Sequence, residues 1–275
     1  MREGEFDEFF SANRKQLTHW HPGLSPRILK ENTVGLSEEE IRALKNQLLQ
    51  GVPLAYAVEA RFFYEALFFV DDRVLIPRME SELIIELLEK KWKGDYRTLL
   101  DVGTGCGCLG LSAAIKFQDL SCVVLMDSSP KALRVAAINR EKLSYRFPPS
   151  CSIETRQASC VENLPRADVI VANPPYIKRS RAFAIHPQVY RYEPHEALFV
   201  EDEHYEHWYR RFFDLVAHSI CGGGLFVMEG EPDLLPGLLS MIAEYDRVEK
   251  CDLEKDLTGK LRFLWGIFED REVHG

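Results

Sequence analysis

No stretch of this chain approaches the roughly 18 consecutive apolar residues that a membrane-spanning helix needs. The opening segment MREGEFDEFF is charged from the start and has no apolar signal-peptide core. These absences argue against a membrane or secreted protein. There is no basic excess either: 34 Lys and Arg stand against 43 Asp and Glu, a formal net charge of −9. The field of the whole molecule therefore repels nucleic acid and points to protein or small-molecule substrates. No Cys-x-x-Cys pair occurs. The seven cysteines are scattered (Cys106, Cys108, Cys122, Cys151, Cys160, Cys221 and Cys251), which argues against a disulfide framework or structural zinc site and for a reducing cytoplasm. Cys106-x-Cys108 lies in a glycine-rich turn and reads as small fillers rather than metal ligands, so no metal is expected. Internal repeats and low-complexity segments are also lacking.

The chain is long enough, at 275 residues, for one large domain or one domain plus a small one. Residues 1–56 read as helical. Ser37 with Glu40 three residues on forms a capping box, Ile41, Leu44 and Leu48 make one apolar face, and Gly51 can end the helix. So small a piece cannot bury much core alone and should pack on a neighbour or face a partner. Residues 62–70 and 73–76 read as two aromatic-rich strands around an Asp71-Asp72 turn, a hinge to the larger C-terminal part of the chain. An amphipathic helix begins near Ser81. Strands at 98–102, 123–126, 152–156, 169–172, 225–228, 248–253 and 263–268 then alternate with helices at 110–117, 130–143, 203–220 and 234–245. Ser129 is the N-cap of the second helix and Pro130 its first residue. This alternation predicts an α/β fold with a mostly parallel sheet and helices on both faces.

Two stretches carry chemistry. Val169 to Ala172 is an apolar run without polar alternation, as in a strand covered on both faces. It opens into Asn173-Pro174-Pro175-Tyr176, where two prolines fix the backbone. Asn173 offers a side-chain carbonyl, the Pro174 backbone another, and Tyr176 a flat ring and a hydroxyl. A planar NH2 group, from a carboxamide or a base, suits such a corner, although Asn-Pro by itself is often only a turn. Upstream, Asp101-Val102-Gly103-Thr104-Gly105-Cys106-Gly107 follows the first strand and opens a helix. Read from Gly105 it also satisfies G-x-G-x-x-G, a weak dinucleotide fingerprint. Asp101 before the glycines would discourage a pyrophosphate and favour an amino group. Asp127, at the end of the next strand, can accept both ribose hydroxyls or can simply cap the following helix. A glycine loop between two acids suits S-adenosylmethionine.

In order, these segments resemble the class I S-adenosylmethionine-dependent methyltransferases, and more closely the protein-glutamine N5-methyltransferases of the HemK/PrmC type. Gly51-Val52-Pro53-Leu54-Ala55-Tyr56 is similar to the family's G-x-P-x-A-Y, and Val74 to Glu82 to its V-L-I-P-R-P-E-T-E. Leu100 to Gly107 matches L-D-x-G-T-G-x-G, and Tyr192 to Leu198 matches Y-E-P-x-x-A-L. Met79 replaces the family's proline, Ser159-Cys160 its usual acidic and apolar pair beside the adenine, and Val200-Glu201-Asp202 a Gly-rich turn. The resemblance implies a Rossmann-like, mostly parallel seven-stranded sheet with helices on both faces, spanning 79–275. A small helical partner-docking domain (1–56) and a β-hairpin linker (57–78) would precede it. The implied reaction is methylation of the glutamine of the GGQ motif in class 1 peptide chain release factors. The charge balance argues against direct nucleic-acid contact, the cysteines point to the cytoplasm, and a monomer is the default assembly.

In this reading Asp101, Gly103, Thr104, Gly105, Cys106, Gly107, Asp127, Cys160 and Asn173 bind the cofactor. Asn173, Pro174, Pro175, Tyr176 and Arg78 bind the substrate, and Asn173, Pro174 and Tyr176 carry catalysis. Arg78 could equally form an ion pair with Glu80 or Glu82. Glu193 is a late proton acceptor or, more simply, structural, and His186 and His195 receive no role. Other readings are a ribosomal-protein glutamine as target, a nucleic-acid amino-methyltransferase acting on adenine N6 or guanine N2, a nicotinamide oxidoreductase and a non-catalytic scaffold.

Overall fold

The structure, a computed structural model, describes residues 5–92, 95–159 and 161–269. It begins with five helices: α1 (Glu5–Ala12), α2 (Arg14–Trp20), α3 (Pro26–Asn32), α4 (Glu38–Leu49) and α5 (Leu54–Ala57). The capping box that opens α4 is formed in both directions, Glu40 N to Ser37 Oγ at 3.3 Å and Ser37 N to Glu40 Oε2 at 2.7 Å. Ile41, Leu44 and Leu48 turn inward to meet Phe6, Leu17 and Leu29 in a small apolar core of their own.

β1 (Arg61–Phe63) and β2 (Ala66–Phe68) pair antiparallel. The hairpin turns at Tyr64-Glu65, not at Asp71-Asp72 as the sequence pattern predicts, and Tyr64 takes a φ of +48° to do so. Residues 73–76 are not a strand. The carboxylate of Asp71 folds back on Arg73, whose Nε it meets at 2.9 Å, and this local pair makes the bend that looks like a hairpin turn in sequence.

The remainder alternates as the periodicity predicts: α6 (Leu83–Lys91), β3 (Thr98–Val102), α7 (Cys108–Lys116), β4 (Cys122–Asp127), α8 (Pro130–Lys142), β5 (Ser152–Gln157) and β6 (Ala167–Ala172). A short excursion comes next, with β7 (Ile177–Lys178), α9 (Pro187–Tyr192) and β8 (Phe199–Val200). Then come α10 (Tyr205–Ser219), β9 (Ile220–Glu229), α11 (Leu235–Ile242), β10 (Val248–Lys255) and β11 (Leu261–Phe268). The sheet has seven strands in the order β10-β11-β9-β6-β3-β4-β5, parallel except where β11 pairs antiparallel with β9 and β10. Adjacent residues on each strand go to opposite cores. Leu99, Val169, Leu225 and Val227 pack under α6, α7 and the hairpin, while Leu100, Ile170, Phe226 and Met228 pack under α10 and α11. Continuous apolar runs are what a sheet covered on both faces requires.

A fourth apolar cluster joins the parts. Tyr56, Val70, Val74 and Ile76 pack with Cys106 of the glycine loop and with Ala132 and Val135 of α8. The helical segment is also tied to α9. Gln188 Nε2 donates to Gly51 O at 2.9 Å and lies 2.9 Å from His21 Nδ1, and Tyr192 Oη donates to Gln50 O at 2.7 Å. Gly51 has a φ of +91°, and a Cβ there would lie 2.5 Å from the Trp20 ring. Gly51→Ala combines left-handed strain with this overlap and should destabilise the fold by about 2 kcal/mol, read as a lower urea midpoint at unchanged slope.

Candidate active site

β3 ends at Val102, and the chain turns at once into a loop in which Gly103, Gly105 and Gly107 have φ of +72°, +56° and +86°. Only glycine adopts this backbone without strain. Gly103 N and Thr104 N both donate to Met126 O at 2.9 Å, pinning the loop to the end of β4. Asp101 lies beneath the loop rather than on the cleft wall. Its Oδ2 accepts from Thr104 Oγ1 at 2.6 Å and from Gly110 N at 2.8 Å, while its buried Oδ1 has no protein partner. Burial, opposed by those two bonds, pushes its carboxyl up to about 6.

Asp127 closes β4 and faces the cleft. Its Oδ2 accepts from Gly105 N and its Oδ1 from Ser129 N, both at 2.9 Å, so each oxygen keeps lone-pair capacity. Burial raises this carboxyl above its ordinary range, and the two backbone donors pull the other way. Ser129 caps α8 as expected, accepting from Ala132 N. Between the loop, Asp127 and Ser159 opens a cleft of about 460 Å³. Such a surface fits S-adenosylmethionine. The backbone at Gly105 is unobstructed, and the Asp127 carboxylate can take a pair of hydroxyls and would repel a pyrophosphate. Cys160 lies outside the described residues. The Cys106 side chain is buried among Tyr56, Val74 and Val135, and its carbonyl accepts from Asn139 Nδ2.

The corner after β6 stands directly across. A Cβ on Gly103 would be 4.0 Å from the Asn173 carbonyl oxygen, so loop and corner nearly touch. Asn173 and Leu75 wall the large cleft and also two smaller cavities. One, of about 40 Å³, lies against Thr104, Cys106, Arg78 and Ser81; the other, of about 210 Å³, is lined by Tyr176, Ile177, Ile185, Val189 and Leu198. Pro174 is buried, and Pro175 O accepts from Tyr209 Oη at 3.5 Å.

Arg78 does not pair with Glu80 or Glu82. It donates to Glu193 Oε1 at 2.7 Å, and Glu193 Oε2 accepts from Ile76 N at 3.0 Å. Glu193 is 4 % exposed, so this carboxylate is structural and clamps the Val74–Arg78 segment over the loop. The other end of that segment is held by Tyr56 Oη, which donates to Val74 O at 2.5 Å. Sequence reasoning missed two further groups. Ser81 Oγ donates to Glu229 Oε2 at 2.5 Å and lies 3.3 Å from Asn173 Nδ2, and Tyr176 Oη donates to Glu229 Oε1 at 3.3 Å. Glu229 sits in an apolar strand run, where a lone acid before Gly230 was the one available signal. His186 caps α9 by accepting from Gln188 N, and His195 Nε2 lies 2.7 Å from Tyr190 O, so both serve local structure.

Strand order, glycine loop and site define a class I methyltransferase. Residues 78–189 match the family model described as a methyltransferase small domain. Among solved structures, a methyltransferase from Pyrococcus furiosus shares the fold at 16% identity and a TM-score of 0.50, over 74% of this chain and 88% of that one. Trm5b from Pyrococcus abyssi shares it at 14% identity and the same score, over 76% and 55%. A release factor glutamine methyltransferase from Leptospira interrogans is 32% identical, covering 83% of this chain and 80% of its own. One from Bacillus subtilis is also 32% identical, over 84% and 82%. The chain belongs to the release factor glutamine methyltransferase family.

Asp127→Ala should weaken S-adenosylmethionine binding by roughly tenfold or more, the worth of charge-assisted hydrogen bonds, as titration calorimetry would read. The raised Asp101 carboxyl makes a separate prediction. The folded chain keeps that proton to higher pH than the unfolded chain, so stability contributed at low pH is lost as pH rises from about 4 to about 6. Asp101→Asn should flatten that part of a stability–pH profile.

Proposed function

We propose that this protein transfers the methyl group of S-adenosylmethionine to the side-chain amide nitrogen (N5) of a glutamine in a peptide chain release factor. The target is the glutamine of the GGQ motif in class 1 factors. The observation that carries this reading is Asn173, which forms a common wall of the cofactor cleft and of the cavity on its far side. That cavity is lined by apolar side chains suited to two methylenes, among them Ile177, Ile185, Val189 and Leu198, and by Asn173, Tyr176 and Arg78, which can meet an amide. Family membership supports both the chemistry and the class of partner.

Bound in the cleft, S-adenosylmethionine supplies an electrophilic methyl carbon on a sulfonium that departs as a neutral thioether. The difficulty lies on the other side, because an amide lone pair is delocalised into its carbonyl. Asn173 Oδ1 and the Pro174 carbonyl each accept one N–H of the glutamine, aiming its nitrogen at the cleft and raising its electron density. Tyr176 packs against the amide plane. Positioning of this kind contributes on the order of 7–11 kcal/mol when the geometry is near-attack. The new N–C bond replaces the C–S bond, and the surplus amide proton leaves to solvent, so no side chain need act as a strong base. Asp127 would hold the ribose hydroxyls, and the backbone of Gly103 and Gly105 would cradle the donor. The N-terminal helices, fastened to α9 through Gln188 and Tyr192, present the face on which the release factor docks.

With labelled S-adenosylmethionine and a purified class 1 release factor, label should enter the factor and vanish when its GGQ glutamine is changed to alanine. Label entering ribosomal protein or RNA instead would overturn the partner. Asn173→Ala should lower kcat by at least roughly a hundredfold while leaving cofactor affinity nearly unchanged; equal losses in both would sink its assignment.

A further inference from the structure

The Asn173 side chain works as an acceptor only if its amide points the right way round. Turned by 180° about its last bond, it would set its own NH2 against the NH2 of the glutamine, and the corner would repel its substrate. Oxygen and nitrogen of an amide have nearly the same shape, so packing alone does not choose between the two orientations. Something with hydrogen-bond polarity has to choose.

That choice is traceable through the buried groups behind the corner. Ser81 is 2 % exposed and Glu229 1 % exposed. Glu229 is the last residue of β9, and because Ala172 pairs with Met228, it lies beside Asn173 at the same sheet edge. A carboxylate only accepts. Ser81 gives its single hydroxyl hydrogen to Glu229 Oε2 at 2.5 Å, and Tyr176 gives its own to Glu229 Oε1 at 3.3 Å. With its hydrogen spent, Ser81 Oγ can only accept, and the Asn173 atom 3.3 Å away must be the NH2. Oδ1 is thereby turned away from Ser81. Burial pushes the Glu229 carboxyl up. The Ser81 bond, the Arg262 guanidinium on β11 (the strand next to β9) and the Tyr176 bond all favour its charged form.

We propose that Glu229 and Ser81 are positioning residues for methyl transfer: the buried carboxylate sets the polarity of Ser81, and Ser81 sets which face of the Asn173 amide meets the substrate. The same carboxylate holds the Tyr176 hydroxyl, so one group behind the corner orients both side chains in front of it. The inference rests on the reading of Asn173 as the substrate acceptor. Glutamine at position 229 cannot reproduce it. A carboxamide has one acceptor oxygen and one NH2, and two donors approach it. Either Tyr176 loses its acceptor, or the Ser81 hydroxyl is driven back onto Asn173 and calls for the flipped amide.

The test compares Ser81→Ala, Ser81→Thr, Glu229→Gln and Asn173→Ala in the release-factor methylation assay, with cofactor affinity and thermal midpoint measured on each. Ser81→Ala and Glu229→Gln should each lower kcat roughly ten- to hundredfold with cofactor affinity within about twofold of the parent. Ser81→Thr, which keeps the hydroxyl, should recover most of the rate. Wild-type kcat in Ser81→Ala or in Glu229→Gln would overturn the proposal, as would Ser81→Thr no better than Ser81→Ala, or losses that track cofactor affinity. An Asn173→Ala variant with full activity would instead remove the underlying reading of the corner.

Discussion

The site depends on one register. β3 pairs with β6 so that Val102 lies opposite Ala172, and with β4 so that Val102 lies opposite Met126. The residues that follow Val102, Met126 and Ala172, namely Gly103, Asp127 and Asn173, therefore come out at one edge. The chain order reverses here, since β4 and β5 lie on one side of β3 and β6 and β9 on the other. In a doubly wound sheet that reversal leaves a crevice at the carboxyl ends of the strands. A slip of one residue between β3 and β6 would send Leu99, Leu100, Val169 and Ile170 to the wrong faces. The register is thus protected by both apolar cores, and the geometry of the site inherits their rigidity.

Upon that edge the protein builds a cover from distant parts. Glu193 accepts from Ile76 N and from Arg78, binding the segment after the hairpin to the excursion between β6 and β9, and Tyr56 donates to Val74 O at the start of that segment. Glu193 is the centre of this arrangement. A carboxylate so deeply buried is costly unless paired, and removing one partner of such a pair typically costs about 3–5 kcal/mol, so the clamp tolerates little change. The arrangement explains why segments far apart in sequence, around Tyr56, Arg78 and Glu193, belong to one functional unit. Their bonds hold Val74, Ile76 and Arg78 around Leu75, which lines both the large cleft and the cavity beside Tyr176.

Acceptors dominate the chemistry. Asp101, Asp127, Glu229, the Asn173 oxygen and the carbonyls of the proline corner converge on a small region, and a net charge of −9 spreads the same sign over the molecule. That suits a cationic methyl donor and an amide donor of hydrogen bonds. Arg78, a cation pressed close to the corner, is neutralised by Glu193.

Much of this was legible from residues in order. All seven sheet strands, the βα alternation, the capping box of α4 and the glycine loop are local patterns. They depend on side-chain periodicity and backbone preference over a few residues, which a linear reading contains. The place of Asn173 at the sheet edge was legible for the same reason, because a strand that stops in Asn-Pro-Pro must leave the ladder there. Tertiary structure was needed for the pairings between chemically similar candidates. Arg78 has Glu80 and Glu82 beside it in sequence yet pairs with Glu193, which the fold brings within 2.7 Å. The hairpin closes at Tyr64-Glu65, and the Asp71-Asp72 bend is a separate local turn in which Asp71 accepts from Arg73. The pairing of Glu229 with Ser81 shows no pattern in sequence, since 148 residues separate them. Sequence determined which elements form and which groups stand at the sheet edge. Only the folded chain decided which buried partner each polar group found, because hydrogen bonding is set by distance and direction in space, and those are fixed by packing.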